Sequence, residues 1–198
     1  MFRRSADIFL DALDHSVSSV IREALAEVDK GNTKKSIELL EPLVEEGDAA
    51  ALFYTSKISL TVEETLYDFE ARSFKQLMRS ADCGYAPAIH ELGVQYDSGE
   101  FVSKDAKKAA QFFKRAAEKG HPHSQWIYGL DLLYGSNGIK KDESLGVDYI
   151  KKSARANFGG ALESMSEFYG RGIYGFPVDE NKAQSFKDQM CNRDVLSY

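Results

Sequence analysis

Residues 88–120 read A-I-H-E-L-G-V-Q-Y-D-S-G-E-F-V-S-K-D-A-K-K-A-A-Q-F-F-K-R-A-A-E-K-G. Ala88, Leu92 and Tyr96 recur every four residues, which puts them on one face of a helix. Gly93 lies on that face without a side chain. Glycine costs about 1 kcal/mol against alanine inside a helix, so a second helix packed closely against it is the expected reason. Asp97-Ser98-Gly99 supplies turn chemistry, and Asp105 is placed to cap the second helix. Ala109, Phe112, Phe113, Ala116 and Ala117 form the apolar stripe of that helix, and Gly120 suits its stop.

The order recurs. Ser124, Tyr128, Gly129, Gly135, Ile139, Asp142, Tyr149, Ile150, Ser153 and Ala154 repeat it with one residue inserted near Asn137-Gly138. Ala161, Met165, Ser166, Tyr169, Gly172, Asp179, Lys182, Ala183 and Phe186 repeat it again, with a further insertion in 173–178. Upstream, Met78-Arg79-Ser80-Ala81 and Gly84 match Lys114-Arg115-Ala116-Ala117 and Gly120. Self-similarity at this period predicts an all-α chain, an α-solenoid of antiparallel helix pairs with about ten or eleven helices and no strands.

These residues resemble the Sel1-like repeat family, relatives of tetratricopeptide (TPR-like) repeats. The Lys108-Ala109 pair fits the family pattern; Leu145-Gly146 departs from it in the second copy, and Ser166 replaces the glycine in the third. The resemblance implies a fold more than a function. It spans about residues 75–190 and is faint before them.

The expected organisation is one α-solenoid domain over 1–198. Residues 1–47 are atypical N-terminal helices and 48–84 a degenerate repeat. Residues 85–120, 121–157 and 158–190 are repeats, and 191–198 is a C-terminal tail. Ser5 is expected to cap a first helix with Ile8, Phe9, Ala12 and Leu13 inward. Val17, Val20, Ile21, Ala24, Leu25 and Val28 form the inward face of a helix over 16–29. Thr33 is expected to cap its partner, which Pro42 bends or restarts. A helix is expected over 49–60, a loop or cap over 61–65, and helices over 68–83 and 179–190. Val195 and Leu196 are expected to fold back over the end of the stack.

Composition narrows the function. The net charge of −6 argues against general nucleic-acid binding. Residues 1–70 hold 7 Lys/Arg and 15 Asp/Glu, a net of −8, whereas the remainder carries +2. The acidic part either attracts a basic partner or is a solvated surface. Cys83 and Cys191 form no C-x-x-C, which favours a reducing compartment. Met1-Phe2-Arg3-Arg4 resembles a signal n-region, but Asp7 and Asp11 interrupt the apolar run. No segment approaches membrane-spanning length, so no membrane partner and a cytoplasmic location are expected.

Chemistry is sparse. The histidines are His15, His90, His121 and His123. His121-Pro122-His123 has no evident third ligand, so no metal and no cofactor are expected. Nucleophile and phosphate-loop motifs are missing, and no enzyme activity is expected. Of the pairs Lys114-Arg115, Lys140-Lys141 and Lys151-Lys152, the first and last are expected to complement helix dipoles, and the three are not expected to form a nucleic-acid stripe.

The remaining expectation is a protein partner held on the concave face lined by the first helix of each pair. That assignment comes from the family's tetratricopeptide relatives. The candidate partner-binding residues are His90, Val94, Asp97, Trp126, Leu130, Glu163 and Glu167, with Leu133 as a further inner-surface position. Trp126, the single tryptophan, either offers a binding anchor or packs between adjacent repeats. Asp131, Glu163 and Glu167 are expected to rim an apolar patch at Trp126 and Leu130. The role expected is a dedicated inhibitor such as a bacterial immunity protein that neutralises a cognate toxin, with an adaptor for regulatory or assembly partners as the alternative. The resemblance also raises β-lactam binding or hydrolysis, though the cysteine pairs of the secreted members are missing. Peptide or cell-wall fragment binding in the inner groove is a further alternative. The oligomeric state is left open.

Overall fold

The computed structural model describes residues 17–59 and 64–195, with side chains as far as Asn192. The expected first helix with Ser5, Ile8, Phe9, Ala12 and Leu13, together with His15, lies outside these residues, as does most of the loop expected over 61–65. Among the described residues there are ten α-helices and no strands, and the fold class is the all-α, helix-pair type expected. In chain order they are α1 (Ser19–Asp29), α2 (Thr33–Glu46), α3 (Ala49–Thr55), α4 (Leu66–Asp82) and α5 (Ala86–Ser98). There follow α6 (Ala106–Glu118), α7 (Pro122–Tyr134), α8 (Glu143–Arg155), α9 (Gly159–Arg171) and α10 (Glu180–Val195). No described helix is long and apolar enough to cross a membrane.

The described chain divides into two compact units. One runs to Leu92 and includes Glu100–Val102; the other comprises Gly93–Gly99 and continues from Ser103. In the first unit, Ile21, Ala24, Leu25 and Leu40 are buried, and so are Ala51 to Tyr54. Here the sequence misleads in several places. Val20 is exposed, while Glu27 is buried at 5%. The Glu27 carboxylate accepts hydrogen bonds from Asn32 Nδ2 at 2.8 Å and Lys30 Nζ at 2.9 Å, and pairs with Lys35 at 3.3 Å. These partners replace its water, and the Asn32 bond, then Lys30, hold its pKa down to about 2.

The same contact explains the start of α2. Asn32, not Thr33, occupies the cap position; its side chain makes no cap bond, and its Nδ2 donates back to Glu27. Pro42 does not restart the helix, which runs unbroken from Thr33 to Glu46. Pro42 and Glu38, whose carbonyl loses its donor there, are both exposed, so water can take that carbonyl. α3 ends at Thr55, five residues before the expected end. Beyond it, Arg72 of α4 donates to the carbonyls of Thr55 and Ile58 and pairs with Glu64 at 2.7 Å. This guanidinium draws the chain after α3 out of helical register. At the other end, α10 continues to Val195, so the tail expected from Cys191 is helical at its start. The fold-back of Val195 and Leu196 lies outside the described side chains.

In the second unit the pairs follow one plan. Ala88 and Leu92 of the first unit and Ala109, Ala116 and Ala117 of the second are buried as the spacing predicts. Asp105, Asp142 and Asp179 each accept a backbone N–H three residues on, from Lys108, Leu145 and Lys182. Each also donates its own N–H to the end of the preceding helix, at Tyr96, Leu132 and Tyr169, over 2.8–2.9 Å. Aspartate thus ties the loop closed at both ends.

Candidate functional site

The surface of the first helices is set by how closely their backs pack. A Cβ on Gly93 would lie 2.6 Å from the Phe113 ring. In the next pair, Gly129 and Gly146 face each other; a Cβ on Gly146 would lie 2.8 Å from the Gly129 carbonyl oxygen. In the third pair Ser166 stands in the glycine position. Its hydroxyl donates to the Ala183 carbonyl at 2.9 Å, so a polar group is tolerated by a bond across the pair.

The candidate residues separate. His90 falls in the first unit and is half-buried. In the second unit, Val94 is half-buried and Asp97 exposed on α5, while Glu163 and Glu167 are exposed one turn apart on α9. Trp126 and Leu130 are half-buried one turn apart on α7, and both pack on the cluster of Leu133, Val147, Ile150, Ala161, Met165 and Phe168. The Trp126 indole N–H donates to Ser164 Oγ of α9 at 3.0 Å. A Cβ on Gly160 would lie 2.9 Å from the indole. The rings of His123 and Phe158 stand 5.9 and 5.6 Å from it. Trp126 therefore bridges adjacent repeats and still reaches solvent.

Two positions correct the expectation. Leu133 is buried at 1%, so it is core and not inner surface. Asp131 is buried at 4% and does not rim the patch. Its Oδ1 accepts bonds from Ser136 and Asn137, fastening the inserted turn, while Oδ2 is buried with no hydrogen-bond partner. Burial pushes the Asp131 carboxyl up against the lowering pull of those two bonds, and the charge of Asp97 adds to the rise.

The residue that sequence reasoning missed is Tyr134, 66% exposed. It stands one position past buried Leu133 and one before Gly135, whose φ of 69° ends α7. That placement at the last turn was the available signal. Tyr134 lies close to Tyr174, whose phenol pKa is raised first by burial and then by Tyr134. Together with Glu167, Phe168, Arg171 and Ile173 they line a cleft of about 380 Å³. Glu167 and Arg171 form an ion pair one turn apart.

Among the described residues no group of three or more His, Cys, Asp or Glu converges as a metal site. His121 instead caps α7, its Nδ1 accepting from the Ser124 N–H at 3.3 Å, so its proton sits on Nε2. Burial, then the neighbouring His123, lowers its pKa to about 4. Of the basic pairs, Arg115 and Lys152 rest over the rings of Phe112 and Tyr149, which half-buries those aromatics.

Comparison with known proteins accords with this geometry. Chitin synthase regulator SKT5 of Saccharomyces cerevisiae is 30% identical over 151 residues, 75% of this chain and 20% of that protein. Chitin synthase regulatory factor 4 of Schizosaccharomyces pombe is 27% identical over 176 residues, 78% of this chain and 27% of that protein. The chain thus spans only a fifth to about a quarter of these relatives. A Sel1 repeat protein from Oxalobacter formigenes superposes with a TM-score of 0.72 at 20% identity, covering 95% of this chain and 78% of that one, a likeness of fold alone. The Sel1 repeat model matches residues 86–121, 122–158 and 161–186, and the chain belongs to the Sel1 repeat family.

Proposed function

We propose that this chain is a non-catalytic protein-binding module acting as a regulatory or assembly adaptor. Its partner is a protein, taken on the first-helix surface of the second unit at Val94, Asp97, Trp126, Leu130, Glu163 and Glu167, with His90 as a separate candidate in the first unit. The observation that carries the reading is Tyr134. It is a largely exposed aromatic beside the Glu167–Arg171 pair at the mouth of a cleft, and tyrosine and arginine are the side chains over-represented at binding hot spots. Relatives named as chitin synthase regulators support a regulatory role over a dedicated toxin inhibitor. The inhibitor reading rests on the small, acidic, single-domain character of the chain, with its net charge of −6. Co-expression with a toxin encoded beside the gene tests it, and failure to restore growth removes it. Cys83 and Cys191 are both exposed and unbridged, which fits a reducing compartment such as the cytoplasm.

The test is capture of partners with tagged protein, identification by mass spectrometry, and calorimetry of the purified pair. Tyr134→Ala is expected to weaken binding at least about tenfold, roughly 1.4 kcal/mol, without changing the helical circular dichroism. Equal affinity of this variant and the parent would overturn the assignment of this surface.

A further inference from the structure

One interface in the second unit is laid out to recur. α9 sits on α7 and α8 through Ala161, Met165 and Phe168, received by Leu133, Val147 and Ile150. One repeat later, α9 and α10 occupy the places of α7 and α8. The receiving positions there are Gly170, Gln184 and Lys187, and the flanking Trp126 and Leu130 are replaced by Glu163 and Glu167. Between α9 and α10 a groove of about 570 Å³ is lined by Gly170, Ala183 and Met190 and by the charged Glu163, Glu167, Arg171 and Lys187, with Arg171 paired to Glu167. Loss of the Leu133 side chain at Gly170 keeps it open: the nearest atom to a Cβ there is 3.8 Å away.

We infer that this groove docks an amphipathic helix of a partner protein, basic along the edge that meets Glu163 and Glu167. The inference rests on the protein-binding reading of the first-helix surface and specifies its occupant. The shape argument is continuity, since the same register receives a helix one repeat earlier. The charge argument comes from what faces Trp126 in that inner copy. The incoming helix presents Ser164 to the indole N–H at 3.0 Å, and Gly160 beneath the ring. Glu163 holds the Trp126 position one repeat later, so a helix seated there in register meets a carboxylate with its counterparts of Gly160 and Ser164. Cations at those two places complement Glu163, and compete with Arg171 for Glu167.

The probe is a peptide copying residues 157–172 with Gly160→Lys and Ser164→Lys, fluorescently labelled, against the whole chain. Its control carries Gly160→Glu and Ser164→Glu. Anisotropy is expected to show the lysine peptide binding at least about tenfold more tightly, and the preference to reverse on the Glu163→Lys, Glu167→Lys double variant. Chemical-shift changes are expected at Gly170, Ala183 and Lys187. Both side chains being replaced are exposed, and a thermal melt of the variant checks that it folds. No binding by either peptide, or no reversal with charge, would overturn the inference. A concentration-dependent dimer in sedimentation that excludes the peptide would overturn it in favour of a second copy of the chain. Either result leaves the Tyr134 test untouched, so the two readings fail separately.

Discussion

The middle repeat and its two neighbours in the second unit solve the same packing problem with different chemistry. In the outer two, an aromatic stack bridges the pair: Tyr96 on Phe112 at 5.5 Å, and Tyr169 on Phe186 at 6.0 Å. A lysine lies over the tyrosine in each, Lys108 at 4.1 Å and Lys182 at 4.9 Å. The middle repeat has Leu132 and Leu145 where these tyrosines and lysines stand, and instead brings Gly129 and Gly146 into backbone contact. Side-chain stacking sets the spacing of the outer pairs, and the lack of side chains sets that of the middle one. The lesson is that a repeat survives loss of its consensus residues when a second change restores the distance between helices.

The largest expected effect is at the closest approach. Gly146→Val would drive carbon into the Gly129 carbonyl oxygen, which is backbone and cannot rotate away. A loss of about 3 kcal/mol is expected, against about 1 kcal/mol for Ala183→Gly at the equivalent place in the third repeat. Thermal or urea melts check both, and a parent-like midpoint for Gly146→Val would break the comparison.

Next is the link from the middle repeat to the third. Trp126→Ala removes a half-buried ring and leaves Ser164 without its donor, for an expected cost of about 2 kcal/mol. Trp126→Phe keeps most of the ring and is expected to cost about 1 kcal/mol. If the alanine variant melts like the parent and only partner affinity falls, the tryptophan acts as an anchor and not as a bridge.

A third contrast lies in the caps. α7 begins on His121, whereas α9 begins on Phe158, which makes no side-chain cap bond. The folded His121 pKa is depressed to about 4 from an ordinary 6.5. Between those values the unfolded chain binds a proton that the folded chain refuses, so stability is full above about 6.5 and falls as pH drops towards 4. Burial of His123 acts in the same direction. About 1–2 kcal/mol is expected to disappear across this window in urea titrations. His121→Asn, which caps without titrating there, is expected to flatten the profile.

The smallest effect belongs to the lysine–tyrosine contacts. Lys108→Met and Lys182→Met are each expected to cost about 0.5 kcal/mol, since the pairs are solvated. Leu145→Lys in the middle repeat is expected to gain nothing, because Leu132 offers no ring. A gain of the full 0.5 kcal/mol there would show that the cation acts without its aromatic.

The helix pairs were readable because their determinants are local. An aspartate cap, a glycine on a buried face and small residues at fixed offsets each act within one turn, and Ala88–Gly120 displays them all. The surface was harder to read because one residue along a helix turns the side chain by about 100°. Leu133 and Tyr134 exchange core and solvent across that single step. Trp126 depended on Gly160 and Ser164, more than thirty residues away, which periodicity within α7 cannot show. Glu27 looked like a surface charge because its three partners follow it, across a turn and into the next helix.

The aspartate clamp has a practical consequence. The bond from Asp105 spans back to Tyr96, and those from Asp142 and Asp179 span back to Leu132 and Tyr169, one residue longer, with the same 2.8–2.9 Å closure. Whatever lies between the two jaws is free to lengthen without shifting the helices on either side. Insertion after Gly138 or Gly175, beyond the fastened Asn137 and the packed Tyr174, can therefore display a foreign epitope or reporter tag while the scaffold beneath keeps its register.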